Sequence, residues 1–158
     1  MAISWPPMSE RGPQVTEAQI DAFETSYGHR LPDDYRQFLL DLNGGRPART
    51  NREFEQGVVN CLFSLDDTDD SSDLAIRANR QRARLPSPDL LYIGHDGCGC
   101  WILLALAGEH RGEVWYMVEE DRPEDANPRV LWHDRRDMQK LASSFEQFMR
   151  SLRPVSPL

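Results

Sequence analysis

Long hydrophobic runs are missing from this 158-residue chain. The longest apolar stretch, 101–107, has the length of a strand, whereas a membrane-spanning helix needs about 18 consecutive apolar residues. The first ten residues carry neither a basic end nor an apolar stretch, so the sequence predicts no signal peptide. We therefore expect a cytoplasmic protein that makes no contact with membranes.

Cysteine is scarce, and the charge is mostly of one sign. The odd number of cysteines, three, favours reduced thiols and an intracellular location. The chain has 26 acidic and 18 basic residues, a formal net charge of −8. This balance argues against direct nucleic-acid binding, because a protein that binds phosphates needs a basic surface. Any charged partner is expected to be basic.

The length predicts one domain with a substantial core. Residues 1–14 contain three prolines and a glycine, which predicts a flexible arm with little regular structure. Trp5 in this arm is expected to dock on the body of the protein. The single domain is predicted over 15–153, followed by a C-terminal tail at 154–158.

Two helices are predicted near the start of this domain. Thr16 and Gln19 have the spacing of a capping box, and Gly28 can adopt the left-handed conformation that ends a helix. Pro32 suits the first turn of a second helix. The apolar stripes of the two helices predict core positions at Ile20, Phe23, Tyr27, Tyr35, Phe38, Leu39 and Leu42.

The middle of the chain is richer in strands. After Asn43-Gly44-Gly45 and a polar loop at 46–57, we expect strands at 58–65, 90–93, 100–106, 113–118 and 130–132. A helix capped by Ser71 or Ser72 is expected to run to about Arg84. Residues 101–104 leave no polar face, which predicts a central strand covered on both sides.

The last helix has two possible starts. The apolar spacing allows one long helix from Met138, whereas Ser143 and Glu146 form a capping box that starts a short helix at Ser144. We favour the short helix. The order of elements predicts an α+β fold with a largely antiparallel sheet.

Three stretches of the sequence resemble one known family. Residues 20–45 combine Leu-Pro, Tyr-x-x-Phe-Leu and Asn-Gly-Gly, residues 90–116 carry a Gly-x-Gly turn and Gly-x-Val-x-Tyr, and residues 143–152 read SSFEQFMRSL. Together they resemble the SUKH superfamily, also called the Smi/Knr family. The chain departs from it at Cys100, where an Asp or Asn is usual, and in its acidic run at 66–73.

The resemblance implies helices packed on a curved, mostly antiparallel sheet. It also implies a protein that binds another protein, since the bacterial relatives are mainly immunity proteins that block a partner toxin, often a nuclease. Fungal relatives act as regulatory scaffolds in cell-wall synthesis, which gives the alternative function. The family is not known for catalysis, so no enzyme activity and no cofactor are expected.

One glycine-rich turn allows two chemical alternatives. His95, Cys98 and Cys100 are zinc-ligand types, with Cys61 or His110 as a possible fourth ligand, but Cys-x-Cys is tighter than the usual spacing. Cys98, His95 and Asp96 could also supply a nucleophile, base and acid. Neighbours on one tight turn rarely point at a common atom, so we favour cysteines that behave as small apolar residues.

The acidic segments are the strongest candidates for binding a partner. A nuclease holds a polyanion in a positive cleft, and a partner that presents carboxylates can occupy that cleft and speed association. The candidate contacts are Asp66, Asp67, Asp69, Asp70 and Asp73, followed by Glu119, Glu120 and Asp121. Arginines 77–84 are expected to be neutralised locally by the adjacent acidic run. The aromatic anchor candidates are Trp101, Trp115, Tyr116 and Trp132, although core packing is the default for each.

Overall fold

The computed structural model describes residues 2–118 and 129–157. The helices are Glu17–Tyr27 (α1), Asp33–Asp41 (α2), Leu74–Gln81 (α3) and Phe145–Ser151 (α4). The strands are Met8–Arg11 (β1), Gly45–Pro47 (β2), Glu53–Phe54 (β3), Gly57–Val58 (β4), Cys61–Leu62 (β5), Leu90–His95 (β6), Trp101–Ala105 (β7), Val114–Met117 (β8) and Met138–Ala142 (β9). Among these helices, none combines the length and the apolar character that a membrane crossing requires.

Seven strands form one sheet in the order β1-β2-β5-β6-β7-β8-β9, and every neighbouring pair is antiparallel. The hairpin β3–β4 stands apart from it. The predicted α+β fold with an antiparallel sheet is therefore confirmed. The sheet follows the chain order, so it is built almost entirely from connections between consecutive elements.

The first two helices form for the local reasons that the sequence indicated. The Thr16 hydroxyl accepts from the Gln19 amide at 3.3 Å, and the Gln19 side chain accepts from the Thr16 amide at 2.8 Å. Gly28 ends α1 in the left-handed region, at φ 88°. Pro32 lies at the N-cap of α2.

Trp5 docks on the helices, as expected. Its ring lies 5.3 Å from Phe38 of α2 and 5.9 Å from Phe145 of α4, between ring centroids. Its indole N–H donates to Asp41 at 2.9 Å. Burying such a ring stabilises the fold and fixes the path of the N-terminal segment.

The rest of that segment differs from the prediction of an irregular arm. Met8–Arg11 form the edge strand β1, which pairs with β2 through Arg11 opposite Gly45. Three of its four residues are exposed, so no hydrophobic alternation marks the strand in the sequence. Backbone pairing with β2 provides the order that side-chain burial does not.

The centre of the sheet is covered on both faces. All five residues of β7 are buried, which confirms its predicted central position. On one face Tyr92 stacks on Trp101 and touches Phe63, below α3. On the other face, β8 presents Tyr116, which packs against Phe54, and Phe54 packs against Phe148 of α4.

Several predicted boundaries were wrong. The polar loop at 46–57 contains most of β2, all of β3 and the start of β4. The expected strand at 58–65 is paired in the main sheet only at Cys61–Leu62. The expected strand at 130–132 does not form; Trp132–Asp134 is a 3₁₀ turn. Short strands that bury few side chains leave little periodic signal.

The short version of the last helix is confirmed, but the predicted capping box of Ser143 and Glu146 is wrong, because the N-cap is Ser144. Ser144 caps α4 by accepting from the Gln147 amide at 3.1 Å. The long alternative is wrong, because Met138–Ala142 pair with β8 as strand β9.

Candidate partner-binding surface

The acidic loop, residues 66–73, is an ordered turn structure. The Asp67 carboxylate accepts from the Asp69 amide at 2.9 Å. The Asp69 carboxylate in turn accepts from the amide and the hydroxyl of Ser71, at 2.9 and 2.7 Å. These hydrogen bonds stabilise the charged form and lower the pKa of Asp69. Each carboxylate thus fixes the backbone two residues further on, as short acidic side chains do in turns.

Asp73 closes this loop from the inside. The side chain is buried, and one carboxylate oxygen accepts from the Asp67 amide while the other accepts from the Ile76 amide, both at 2.9 Å. Asp73, and not Ser71 or Ser72, is therefore the N-cap of α3. Ser and Asp are both favourable capping residues, and the tertiary position of the loop selects Asp73 over the two predicted serines.

We predict that Asp73→Ala lowers the free energy of unfolding by about 1–2 kcal/mol, because a helix cap is lost and the Asp67 amide loses its partner. Urea unfolding measures the change. The matched control is Asp70→Ala, since the exposed Asp70 carboxylate accepts no hydrogen bond within the described residues. The control should change stability by less than about 0.5 kcal/mol. Equal losses in the two variants would contradict the assigned cap.

Both ends of the acidic loop are tied to the scaffold. Ser64 donates its amide to the Ser72 carbonyl at 2.9 Å and accepts from the Leu74 amide at 2.8 Å. At the first residue, the Asp66 carboxylate accepts from the Gln19 side chain at 2.6 Å. The loop therefore holds its carboxylates in fixed positions, which reduces the conformational entropy that a partner must remove on binding.

The candidate contacts divide into three groups. Asp66, Asp69 and Asp70 are exposed and Asp67 is half-buried, so these four carboxylates form the outer surface of the loop. Asp73 lies beneath them. The second acidic segment, with Glu119, Glu120 and Asp121, lies outside the described residues.

A groove of about 310 Å³ runs beside the acidic loop. One wall carries Asp67 from the loop, and the other walls carry three arginines, a histidine and one carboxylate: Arg11, Arg46, Arg77, His95 and Glu10. A second concavity of about 360 Å³ shares Arg77 and His95 with the groove and extends over Tyr92 and Trp101. This basic groove was not predictable from the sequence, because its arginines come from three separate elements. The surface therefore presents negative and positive charge side by side.

The predicted neutralisation of arginines 77–84 by the acidic loop is not seen at Arg77, Arg80 or Arg82. No ion pair joins these three residues to residues 66–73, all of which the structure describes. Instead, the Arg77 guanidinium lies 5.1 Å from the Phe63 ring centre, and the Arg82 guanidinium lies 3.7 Å from that of Tyr27. The Arg77 Nε is buried without a hydrogen-bond partner, so the ring faces provide part of its stabilisation.

The turn after β6 is organised by Asp96. One carboxylate oxygen accepts from the amides of Cys98 and Cys100, at 2.7 and 3.1 Å, and the other bonds the Tyr116 hydroxyl. Burial and the neighbouring Asp96 raise the pKa of Tyr116, which keeps the phenol protonated. Asp96 is thus committed to the turn and does not orient His95, whose Nδ1 accepts from the Gly97 amide.

Neither chemical alternative at this turn is supported. Within the described residues, His95, Cys98 and Cys100 do not form a group of converging metal ligands. Burial, followed by the charge of Arg77, lowers the pKa of His95, so the ring is neutral at pH 7. Burial raises the pKa of the thiol of Cys61, the possible fourth zinc ligand, which disfavours the thiolate form that binds metal.

Most of the aromatic anchor candidates belong to the core. Trp101, Trp115 and Tyr116 are each at most 6% exposed. Trp132 is half-buried, and its exposed apolar neighbour is Leu131, at 61%. Leu131, which was expected to lie in a strand, therefore offers exposed apolar contact area.

Comparison with known proteins agrees with this architecture. No curated protein sequence matches the chain. The model of the SMI1 / KNR4 family (SUKH-1) matches residues 14–151. That match spans the chain from just before α1 to the end of α4, and it confirms the resemblance seen in the three sequence stretches. This chain therefore belongs to the SMI1/KNR4 family (SUKH-1).

Proposed function

We propose that this protein is an immunity protein that binds a cognate toxin, such as a nuclease, and blocks it stoichiometrically in the cytoplasm of the producing cell. Membership of the SMI1/KNR4 family supports a protein-binding role of the immunity or Smi1/Knr4-like kind. The family is generally non-catalytic. Inhibition is accordingly steric and electrostatic.

The observation that carries this proposal is the fixed display of carboxylates on the acidic loop. Asp66, Asp69 and Asp70 are exposed, and the turn hydrogen bonds hold the loop that carries them. A cleft that binds a nucleic-acid backbone is positive, and a rigid negative surface can enter it without losing much conformational entropy. The adjoining basic groove adds specificity, because a partner must place positive charge against the acidic loop and negative charge against the groove at the same time.

Co-expression tests the proposal directly. The gene next to this one is expected to encode a large secreted protein with a variable C-terminal toxin domain. Cells that produce that domain should survive only when this chain is co-expressed, and the two should co-purify in a one-to-one complex. A neighbour of another kind, with no protection, would instead favour the alternative of a non-catalytic scaffold or regulatory module.

A charge variant tests the acidic loop itself. We predict that the triple change Asp66→Asn, Asp69→Asn and Asp70→Asn slows association with the toxin domain about tenfold at low salt and flattens its salt dependence. Asparagine keeps the oxygen that organises an Asx turn, so the loop should retain its shape. Stopped-flow kinetics at several salt concentrations measures both effects.

The matched control removes the same charge elsewhere. Asp21→Asn, Asp33→Asn and Glu55→Gln together neutralise three exposed carboxylates on α1, α2 and the β3–β4 turn. The control should retain most of the association rate and salt dependence of the unmodified protein. If the two triple variants behave alike, total charge controls association and the acidic loop is not the contact surface.

A further inference from the structure

A second cluster of polar side chains, centred on the β7–β8 turn, shares no residue with the acidic loop. Glu109 and His110 belong to this turn, and His133 comes from the 3₁₀ turn before β9. One potential ligand atom from each residue lies within 4.8 Å of the other two. Among the described residues, this is the only such group of histidine, cysteine or acidic side chains.

Aromatic packing brings the two segments together. The ring of Trp132 lies 4.9 Å from Trp115 of β8 and 5.4 Å from His110, between ring centroids. The next residue, His133, is thereby placed with its ring 4.3 Å from that of His110. Two imidazoles at this separation, with a carboxylate beside them, present the nitrogen and oxygen donors that bind Zn²⁺.

A supporting carboxylate fixes the orientation of His110. Its Nδ1 lies 2.8 Å from the Glu113 carboxylate, which can only accept, so Nδ1 carries the proton. Glu113 is itself held by the Trp115 indole N–H at 3.1 Å and by the Lys140 ammonium at 3.2 Å. A carboxylate that accepts from the far nitrogen of a ligating histidine is the usual support of protein zinc sites.

The other nitrogen of His110 is left without a hydrogen-bond partner. With Nδ1 protonated, neutral His110 has a lone pair on Nε2, and this atom is buried and makes no hydrogen bond. Nε2 lies 3.5 Å from the Glu109 carboxylate. Two ligands that are each about 2.1 Å from a tetrahedral Zn²⁺ lie about 3.4 Å apart, so the observed spacing leaves room for the ion between them.

We propose that Glu109, His110 and His133 bind one Zn²⁺ ion, with Glu113 as the positioning residue behind His110. Three protein ligands leave a fourth position for water. The site is independent of the proposed partner-binding surface, because it shares no residue with the acidic loop or the groove.

Metal titration of the full chain tests this site. The protein is treated with a chelator and titrated with Zn²⁺ by calorimetry, and with Co²⁺ followed by absorbance. One ion should bind per chain, and Zn²⁺ should raise the melting temperature. The Co²⁺ spectrum should lack thiolate charge-transfer absorption, because the proposed ligands include no cysteine.

Ligand and control variants sharpen the test. Glu109→Gln, whose side chain is 80% exposed and therefore tolerant of change, and His133→Asn should each weaken binding by at least about 100-fold, whereas Glu113→Gln should weaken it about 10–100-fold. His29→Gln, which removes a histidine near Asp89, should bind as the unmodified protein does. Absence of stoichiometric binding, binding that persists in Glu109→Gln and His133→Asn, or a thiolate band in the Co²⁺ spectrum would each overturn the proposal.

Discussion

Gly44→Ala is expected to lower the free energy of unfolding by about 2–5 kcal/mol, a large part of the total stability of a domain. Gly44 has φ 80°, and a Cβ atom there would lie 2.4 Å from the Phe63 carbonyl oxygen and 2.7 Å from its carbon. The left-handed conformation costs about 1–2 kcal/mol for alanine. Displacing backbone to make room costs about 1–3 kcal/mol more, since no side-chain rotation relieves the clash.

Gly28→Ala is the matched control for this prediction. Gly28 has nearly the same conformation, φ 88°, but a Cβ atom there would meet nothing within 4 Å. The Gly28→Ala variant should therefore lose only about 1–2 kcal/mol of the free energy of unfolding, the cost of the left-handed conformation. Thermal and urea unfolding of the two variants isolates the cost of the clash, which should appear as a further fall in melting temperature of several degrees. Equal losses would show that Gly44 is needed only for its backbone angle.

The Asn-Gly-Gly segment is therefore architectural. Gly45 follows at φ 106°, and a Cβ atom there would lie 2.1 Å from the Glu10 carbonyl oxygen in β1. The motif lets β1 and β5 approach β2 at the end of α2. Its presence in the sequence predicts the end of a helix, but not the edge strand, because the residues of β1 are polar and mostly exposed.

Local signals predicted those elements whose causes are local. The capping box at Thr16, the helix end at Gly28 and the buried strand Trp101–Ala105 depend on neighbouring residues or on an unbroken apolar run, and all three are confirmed. The N-cap of α3 was missed, because Asp73 is selected by a hydrogen bond from Asp67 across the loop. A capping preference alone cannot rank adjacent Ser and Asp residues.

The candidate surfaces were predictable in composition but not in geometry. The charge of residues 66–73 could be counted from the sequence. Which of these carboxylates are exposed, and that Asp73 is buried, depends on the tertiary path of the loop. Arg77 was expected to neutralise that loop and instead lies over Phe63 and Tyr92. The pairing of His110 with His133 follows from tryptophan packing between separate segments, for which a sequence has no periodic signal.

The path of the acidic loop depends on one buried side chain, that of Asn43. It follows α2 at φ 51°, is 1% exposed, and contacts two other segments. Its side-chain amide donates to the Pro13 carbonyl at 2.6 Å and to the Leu65 carbonyl at 2.8 Å. Its oxygen accepts from the Leu65 amide at 2.8 Å. One side chain therefore joins the N-terminal segment, the end of α2 and the start of the acidic loop.

We predict that Asn43→Ala lowers the free energy of unfolding by about 3–5 kcal/mol, because it leaves the buried Leu65 amide and two carbonyl groups without partners, at about 1–3 kcal/mol for each buried group left unsatisfied. Asn79→Ala is the control, since its amide bonds only the Ala75 carbonyl on an exposed helix face. It should change stability by less than about 0.5 kcal/mol. Urea unfolding measures both variants, and hydrogen exchange should show faster exchange of the Leu65 amide in Asn43→Ala alone. Unchanged protection of that amide would mean that the backbone, and not Asn43, holds the acidic loop to the scaffold.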